Sequence, residues 1–273
     1  MSSARSALGH PTPGVSVSAR AFAARARYGS LLPLVGLAAA LAVWGILAGP
    51  WAPPLARAFA PDRAFAALAR LFATGTIEPH LVSSVLRIAA GILVAAAVGI
   101  PAGILLARSR AADRVAAGVL PLLRMISPLT WMPVAVMAFG IGDRPVVFLV
   151  AAAAVWPLLL STAHGVATAD PRWIGAARTL GAGRRQLVRR VLIPAALPDV
   201  LTGLRLSLGV AWIVLVPAEM LGVRSGLGYF VLDTRDRFAY DELAALVLLI
   251  GAVGFVLDAG VRALHARFAW TAQ

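Results

Sequence analysis

Four ionisable side chains, Arg87, Arg124, Arg205 and Glu219, stand in or beside stretches otherwise apolar enough to cross a bilayer. Charge in hydrocarbon is costly, so such groups pair with one another or line a wet path. The chemistry open to them is an internal ion pair, with Glu219 neutralising one arginine, or electrostatic passage of a solute. Ser127 and Pro128 open a proline-bearing stretch that runs to Pro133. A helix broken there would free backbone groups to line a path. Bond-making chemistry finds no such footing. The chain has no Cys and its 25 basic residues are all Arg, which removes thiolate nucleophiles, lysine Schiff bases and a phosphate loop ending in Gly-Lys-Ser/Thr. His10, His80, His164 and His265 are scattered without metal-ligand spacing, so no metal site is expected. No Gly-x-Ser-x-Gly occurs and the acids are dispersed, so no catalytic residues are nominated.

The elements that must hold these residues are helices in a membrane. The chain has 273 residues, a mean hydropathy of +0.85 and only 14% charged residues, about half the charge of a soluble domain. Residues 28–56, 88–107, 125–142 and 145–169 contain no Asp, Glu, Arg or Lys, and each run is at least 18 residues long. Such runs can cross a hydrocarbon core roughly 30 Å thick at about 1.5 Å per helical residue. The pattern predicts an all-α integral membrane protein with about six spans, near 31–48, 81–107, 115–139, 145–162, 196–218 and 243–262. Residues 1–27 read as a disordered or interfacial start. Residues 28–80 read as the first span followed by an amphipathic segment on the far surface. Residues 81–264 form the core, and 265–273 a tail.

The net charge of +13 is explained by topology rather than by nucleic acid. With six spans, 15 arginines fall in segments on the side of the termini and seven on the other. Arginine excess marks the cytoplasmic side, so both termini are expected inside.

The link 166–195 carries the densest signal. Asp170-Pro171 is a helix start, because the carboxylate caps free backbone donors and proline suits the first helical position. Trp173, Ala176, Ala177 and Leu180 recur at helical spacing, and Gly181 and Gly183 end the helix. A second short helix is predicted from about Arg184 to Ile193, limited by Pro194 and Pro198. Periodicity alone leaves two uses open: resting on anionic lipid at the membrane surface, or docking a soluble partner.

The order Gly175-Ala176-Ala177, three residues, Gly181, nine residues, Val191-Leu192-Ile193-Pro194 resembles the cytoplasmic loop of permease subunits of bacterial ABC importers. The family pattern there is Glu-Ala-Ala, three residues, Gly, nine residues, Ile-x-Leu-Pro. The resemblance runs from about Leu81 to Arg262 and is nearest the branch importing nitrate, taurine and aliphatic sulfonates. It takes in Ser84 to Gly91, Ser127-Pro128 through Gly142, Ala218-Glu219-Met220 and Gly226-Leu227-Gly228-Tyr229. It implies the type I importer permease fold and a subunit that is not itself an enzyme. The implied partners are two ATPase subunits that use ATP and Mg, a second copy of the chain and an external solute-binding protein. A bacterial inner-membrane location and a small anionic cargo are further implications. Gly175, Ala176, Ala177, Leu180, Gly181 and Pro194 then occupy the coupling positions, with Gly175 where the family has Glu. Arg87, Arg124, Ser127, Pro128, Arg205 and Glu219 are candidates for path lining or internal ion pairs. A secondary transporter or channel of six spans is the alternative. It would have no need of the docking loop and would more often show inverted repeats, which are not visible here. A single Cys placed at Ser109 should react with an impermeant thiol reagent in inverted vesicles and not from outside intact cells; outside labelling overturns the six-span arrangement.

Overall fold

The computed structural model describes residues 35–269. Residues through 57 and residues from 58 onward form separate units. The first contains α1, Val35–Leu47. The expected first span begins at Leu31, so its start lies outside the described residues. Pro50, Pro53 and Pro54 follow α1, and α2, Pro54–Ala58, is a short turn of helix at the end of this unit.

In the second unit α3 is Pro61–Ala73, α4 Glu78–Arg108 and α5 Arg110–Met125. A single tight turn of helix, Pro128–Trp131, leads into α6, Met132–Phe139, and α7 is Asp143–Ala167. Then come α8, Pro171–Thr179, and α9, Arg184–Leu187, with a wide helical turn at Val188–Leu192. The last three are α10, Ile193–Gly222, α11, Leu227–Asp236, and α12, Tyr240–Ala269. Among the described residues four helices are long and apolar enough to cross a membrane, and a fifth crossing exists if the bent pair of α5 and α6 is counted as one span.

The core is the α4, α7 and α10 layer, where Ile88, Leu149, Val150, Ala154, Ala211 and Leu215 are buried. Helices α4 and α7 run parallel and touch through glycines. A Cβ added at Gly91 would collide with the Val150 side chain, one at Gly99 would stand 3.0 Å from the Val155 carbonyl, and one at Gly103 would stand 2.7 Å from Thr162 Cβ. Backbones that approach this closely gain dispersion contacts along their whole length, which is how helices associate when lipid removes the hydrophobic drive. Helix α10 returns antiparallel, with Gly203 against Ser161 and Gly165 against Asp199.

The expected amphipathic segment contains α3, which buries Ala64, Ala67 and Leu71, and the latter two join Ala245, Leu246 and Leu249 of α12 in a second apolar cluster. The third span is not one helix: α5 and the α6 arm meet at 82°. Ile126 and Ser127 between them are extended, as the residue before a proline prefers. The link expected at 108–114 shrinks to Ser109, whose hydroxyl accepts from the Ala112 amide at 3.2 Å and starts α5.

Gly103→Leu should lower the thermal stability of the detergent-solubilised protein by about 1 to 3 kcal/mol through overpacking. Gly251→Ala in α12, where an added Cβ meets nothing within 4 Å, should be neutral or stabilising by up to about 1 kcal/mol. Equal unfolding temperatures for the two variants would contradict the glycine contact.

Candidate functional site

Arg87 lies three turns into α4 and is 4% exposed, while Glu219 near the end of α10 is fully buried. They form an ion pair, with Arg87 Nη1 donating to Glu219 Oε1 at 2.7 Å and to the Ser225 carbonyl at 2.8 Å. Arg87 Nε and Nη2 both donate to Asp143 Oδ1, at 2.9 and 2.7 Å, and Nη2 donates to Ser225 Oγ at 2.6 Å. All five guanidinium donors are thus used by protein acceptors. Glu219 is equally occupied: Ser84 Oγ lies 2.8 Å from both carboxylate oxygens, and the Gly228 amide donates to Oε2 at 2.9 Å. Ser84 in turn accepts from the Leu227 amide at 2.8 Å, and the Gly226 amide donates to His80 Nδ1 at 3.2 Å. The His80 ring stacks on Phe230 at 4.6 Å. Among the described residues no buried side-chain polar atom lacks a partner.

The turn that closes this network needs glycine. Gly226 has φ 104°, and a Cβ there would meet both the Glu219 carboxylate and Arg87 Nη1; a Cβ at Gly228 would strike the Val216 carbonyl. Asp143 and Ser225 are not among the residues expected to take part. The signals that locate them are the neighbouring glycines, Gly140 and Gly142 before Asp143 and Gly226 and Gly228 after Ser225.

The other nominated charges do not join this cluster. Arg205 pairs with Asp258 of α12, Nε to Oδ1 at 2.8 Å, and Arg262 donates to the same carboxylate at 2.6 Å. Asp199, in the same helix as Arg205, is instead packed against Gly165 of α7. Arg124 is exposed at the last turn of α5 and lines a groove of about 460 Å³ between α5 and the ends of α4 and α7. Arg110, Asp113 and His164 share its walls with Leu106, Leu120 and Leu160. Ser127 and Pro128 form the break between α5 and the α6 arm.

The coupling positions stand at the opposite end of α7 from the Arg87 cluster. α7 is 25 residues long, about 37 Å of helix. Asp170 Oδ1 accepts from the Arg172 amide at 2.8 Å and caps α8, and Gly181 takes φ 78° after it. α8 has no buried residue. Ile174 is its one contribution to the apolar cluster of Val166, Leu192 and Ala196, whereas Trp173 and Leu180 are 56% and 86% exposed. Gly175 and Ala176 are exposed too, and Ala177 is half-buried. Pro194 does not end a helix as expected. The wide turn at Val188–Leu192, closed by the Ile193 amide on the Val188 carbonyl, carries the chain straight into α10. Pro194 has no N–H to donate, and the shift of one residue in register absorbs that loss.

The result is a bundle packed through glycines, with a short exposed helix between α7 and α10. The sequence pattern described as binding-protein-dependent transport system inner membrane component matches residues 99–270. The chain is 34% identical over 240 residues to the bicarbonate transport system permease protein CmpB of Synechococcus elongatus, covering 84% of this chain and 86% of that one. It is 36% identical over 196 residues to the taurine transport system permease protein TauC of Escherichia coli, covering 72% and 71%. Among solved structures, the inward-facing MetNI methionine ABC transporter aligns with a TM-score of 0.60 at 17% identity, covering 68% of this chain and 93% of that one. The protein belongs to the binding-protein-dependent ABC importer permease family and is a multi-pass membrane protein.

Removing one member of the buried pair leaves a charge without compensation, so Glu219→Ala should destabilise the protein by about 3 to 5 kcal/mol. Asp143 is 72% exposed but takes two donors of the buried guanidinium, so Asp143→Ala should cost less, about 1 to 3 kcal/mol. Thermal unfolding of the two variants in one detergent checks the order; equal losses contradict it.

Proposed function

We propose that this chain is the membrane subunit of an ATP-driven importer of a small anion, working as two copies with two ATPase subunits and an external solute-binding protein. The observation that carries the reading is the exposed apolar face of α8. Trp173, Ala176 and Leu180 point away from the bundle while Ile174 holds the helix to it. A nine-residue helix with so little burial is marginal alone, and a partner surface supplies the missing packing. ATPase subunits on the cytoplasmic face, using ATP and Mg, fit that place, and the arginine excess on the same side supports cytoplasmic termini. Gly175 in the family's Glu position leaves α8 without a carboxylate there, so docking rests on the apolar face. ATP-driven closure of the ATPases would then move α8 and the spans on either side of it, linking two sites through two global states.

The anionic cargo is supported by the relatives named for bicarbonate and taurine and by the groove with Arg110, Arg124 and His164 against one acid, Asp113. Ser127 and Pro128 at the break are the proposed lining. Arg87 and Glu219 have no free donor or acceptor for a solute and serve as an internal pair. Arg205 with Asp258 is a second ion pair, partly exposed rather than internal. Uptake into vesicles holding the full complex should depend on ATP and respond to bicarbonate, nitrate or taurine; uptake of only a cationic or bulky apolar solute overturns the anion.

Ala176→Glu should insert and unfold as the wild type does, since α8 buries nothing there. It should lose ATPase association or the coupling of hydrolysis to transport, because a carboxylate is desolvated at the contact. Unchanged coupling in reconstituted vesicles contradicts the docking assignment.

A further inference from the structure

Helix α11 ends in a hydrogen-bond pattern that favours glycine, with a phenylalanine in its place. The Phe238 amide donates to the Arg235 carbonyl at 3.0 Å and the Ala239 amide to the Thr234 carbonyl at 2.9 Å. These paired bonds belong to a helix end whose residue after the cap takes left-handed dihedrals. Phe238 has φ 57° and is the positive-φ residue other than glycine among those described. That conformation is costly for a bulky side chain and free for glycine. The ring recovers little within the chain. It is 73% exposed and meets Tyr240 edge-on with ring centres 6.2 Å apart.

Ion pairs hold the surroundings in place. Arg237 bridges Asp233 at 2.9 Å and Glu242 at 3.1 Å, Arg70 reaches Asp241 at 2.8 Å, and Arg235 reaches Asp236 at 2.8 Å. An exposed aromatic centre within a charged rim is the anatomy of a protein interface. The rim has four carboxylates against three guanidiniums, a surplus that disfavours anionic lipid headgroups and favours a partner with basic groups. The turn also lies at the Arg87 end of the bundle, away from α8.

We propose that Phe238 and this rim are the docking anchor for the external solute-binding protein, the ring entering an apolar pocket edged by basic residues. The inference rests on the reading that this end faces outward in a binding-protein-dependent importer. Glycine suits the backbone better, so a Phe238→Gly variant separates the two roles of the ring. In nanodiscs holding the full complex, Phe238→Gly should keep or raise the unfolding temperature and keep basal ATP hydrolysis. Its Kd for the solute-loaded binding protein of the same importer should rise at least tenfold, mostly through faster dissociation. Asp236→Arg should slow association in a salt-dependent way. Wild-type affinity in Phe238→Gly overturns the anchor, as does a lowered unfolding temperature or a stability change that follows only the anionic lipid content. A wild-type complex that neither binds nor responds to the binding protein overturns the importer reading itself, and the anchor with it.

Discussion

Burying the Arg87 guanidinium is the demand that organises one end of this bundle. An arginine inside apolar packing has to place five N–H donors on acceptors, and none of those acceptors comes from α4. They come from Glu219 on α10, from Asp143 at the first residue of α7 and from Ser225 in the turn before α11. Meeting the demand sets where α7 begins, where α10 ends and how α11 enters. The carboxylate makes a matching demand on Ser84 and the Gly228 amide. Coulomb attraction does not itself exceed the cost of stripping water from both ions, and apolar residues of similar volume could give equal stability. What the ion pair adds is direction. A slipped register in any one of these helices would strand a buried charge, which raises the cost of every alternative packing.

The two ends of α7 have opposite characters, and the helix joins them. Its first residue is in the charge network and its last lies four residues before α8. Along its length it is pressed against α4 at Gly91, Gly99 and Gly103 and against α10 at Gly165 and Gly203. Interfaces this close do not deform continuously, because separation by a fraction of an ångström forfeits much of the dispersion attraction. A displacement of α8 would therefore reach the Arg87 end as a rigid-body movement of α4, α7 and α10, not as local bending. The loosely attached parts are α8 and α5, each without a buried residue, and these border the proposed docking face and the proposed path.

Local signals in the sequence identify several elements. The uncharged runs mark the spans, Asp170-Pro171 marks the start of α8, and Gly181 marks its end. The partner of Glu219 is not legible in that way, because Arg87 stands 132 positions away and Arg124 and Arg205 are chemically equivalent to it. Asp143 is equally hidden. As the first residue of a helix it reads as an exposed cap, and its oxygen reaches a buried guanidinium only after α4 and α7 pack in parallel. The same holds for Arg205, whose carboxylate is Asp258 on α12 and not Asp199 on its own helix.

Prolines show most directly why local reading stops where it does. Pro128 and Pro194 look alike in sequence, each inside an apolar stretch with a second proline four or five residues on, Pro198 or Pro133. At Pro128 the chain breaks and turns through 82°; at Pro194 it continues as helix, and Ile193 before it keeps helical dihedrals of −65° and −49° against the usual preference. The difference lies in what flanks each site. Leu192, Ala196, Leu201 and Gly203 are buried around Pro194, so straightness there is supported by contacts with α7, and one wide turn is a smaller loss than those contacts. α5 buries nothing before Pro128, so no tertiary contact opposes the extended preference of Ser127. Proline sets the local cost in both places; burial decides whether the helix bears it or breaks.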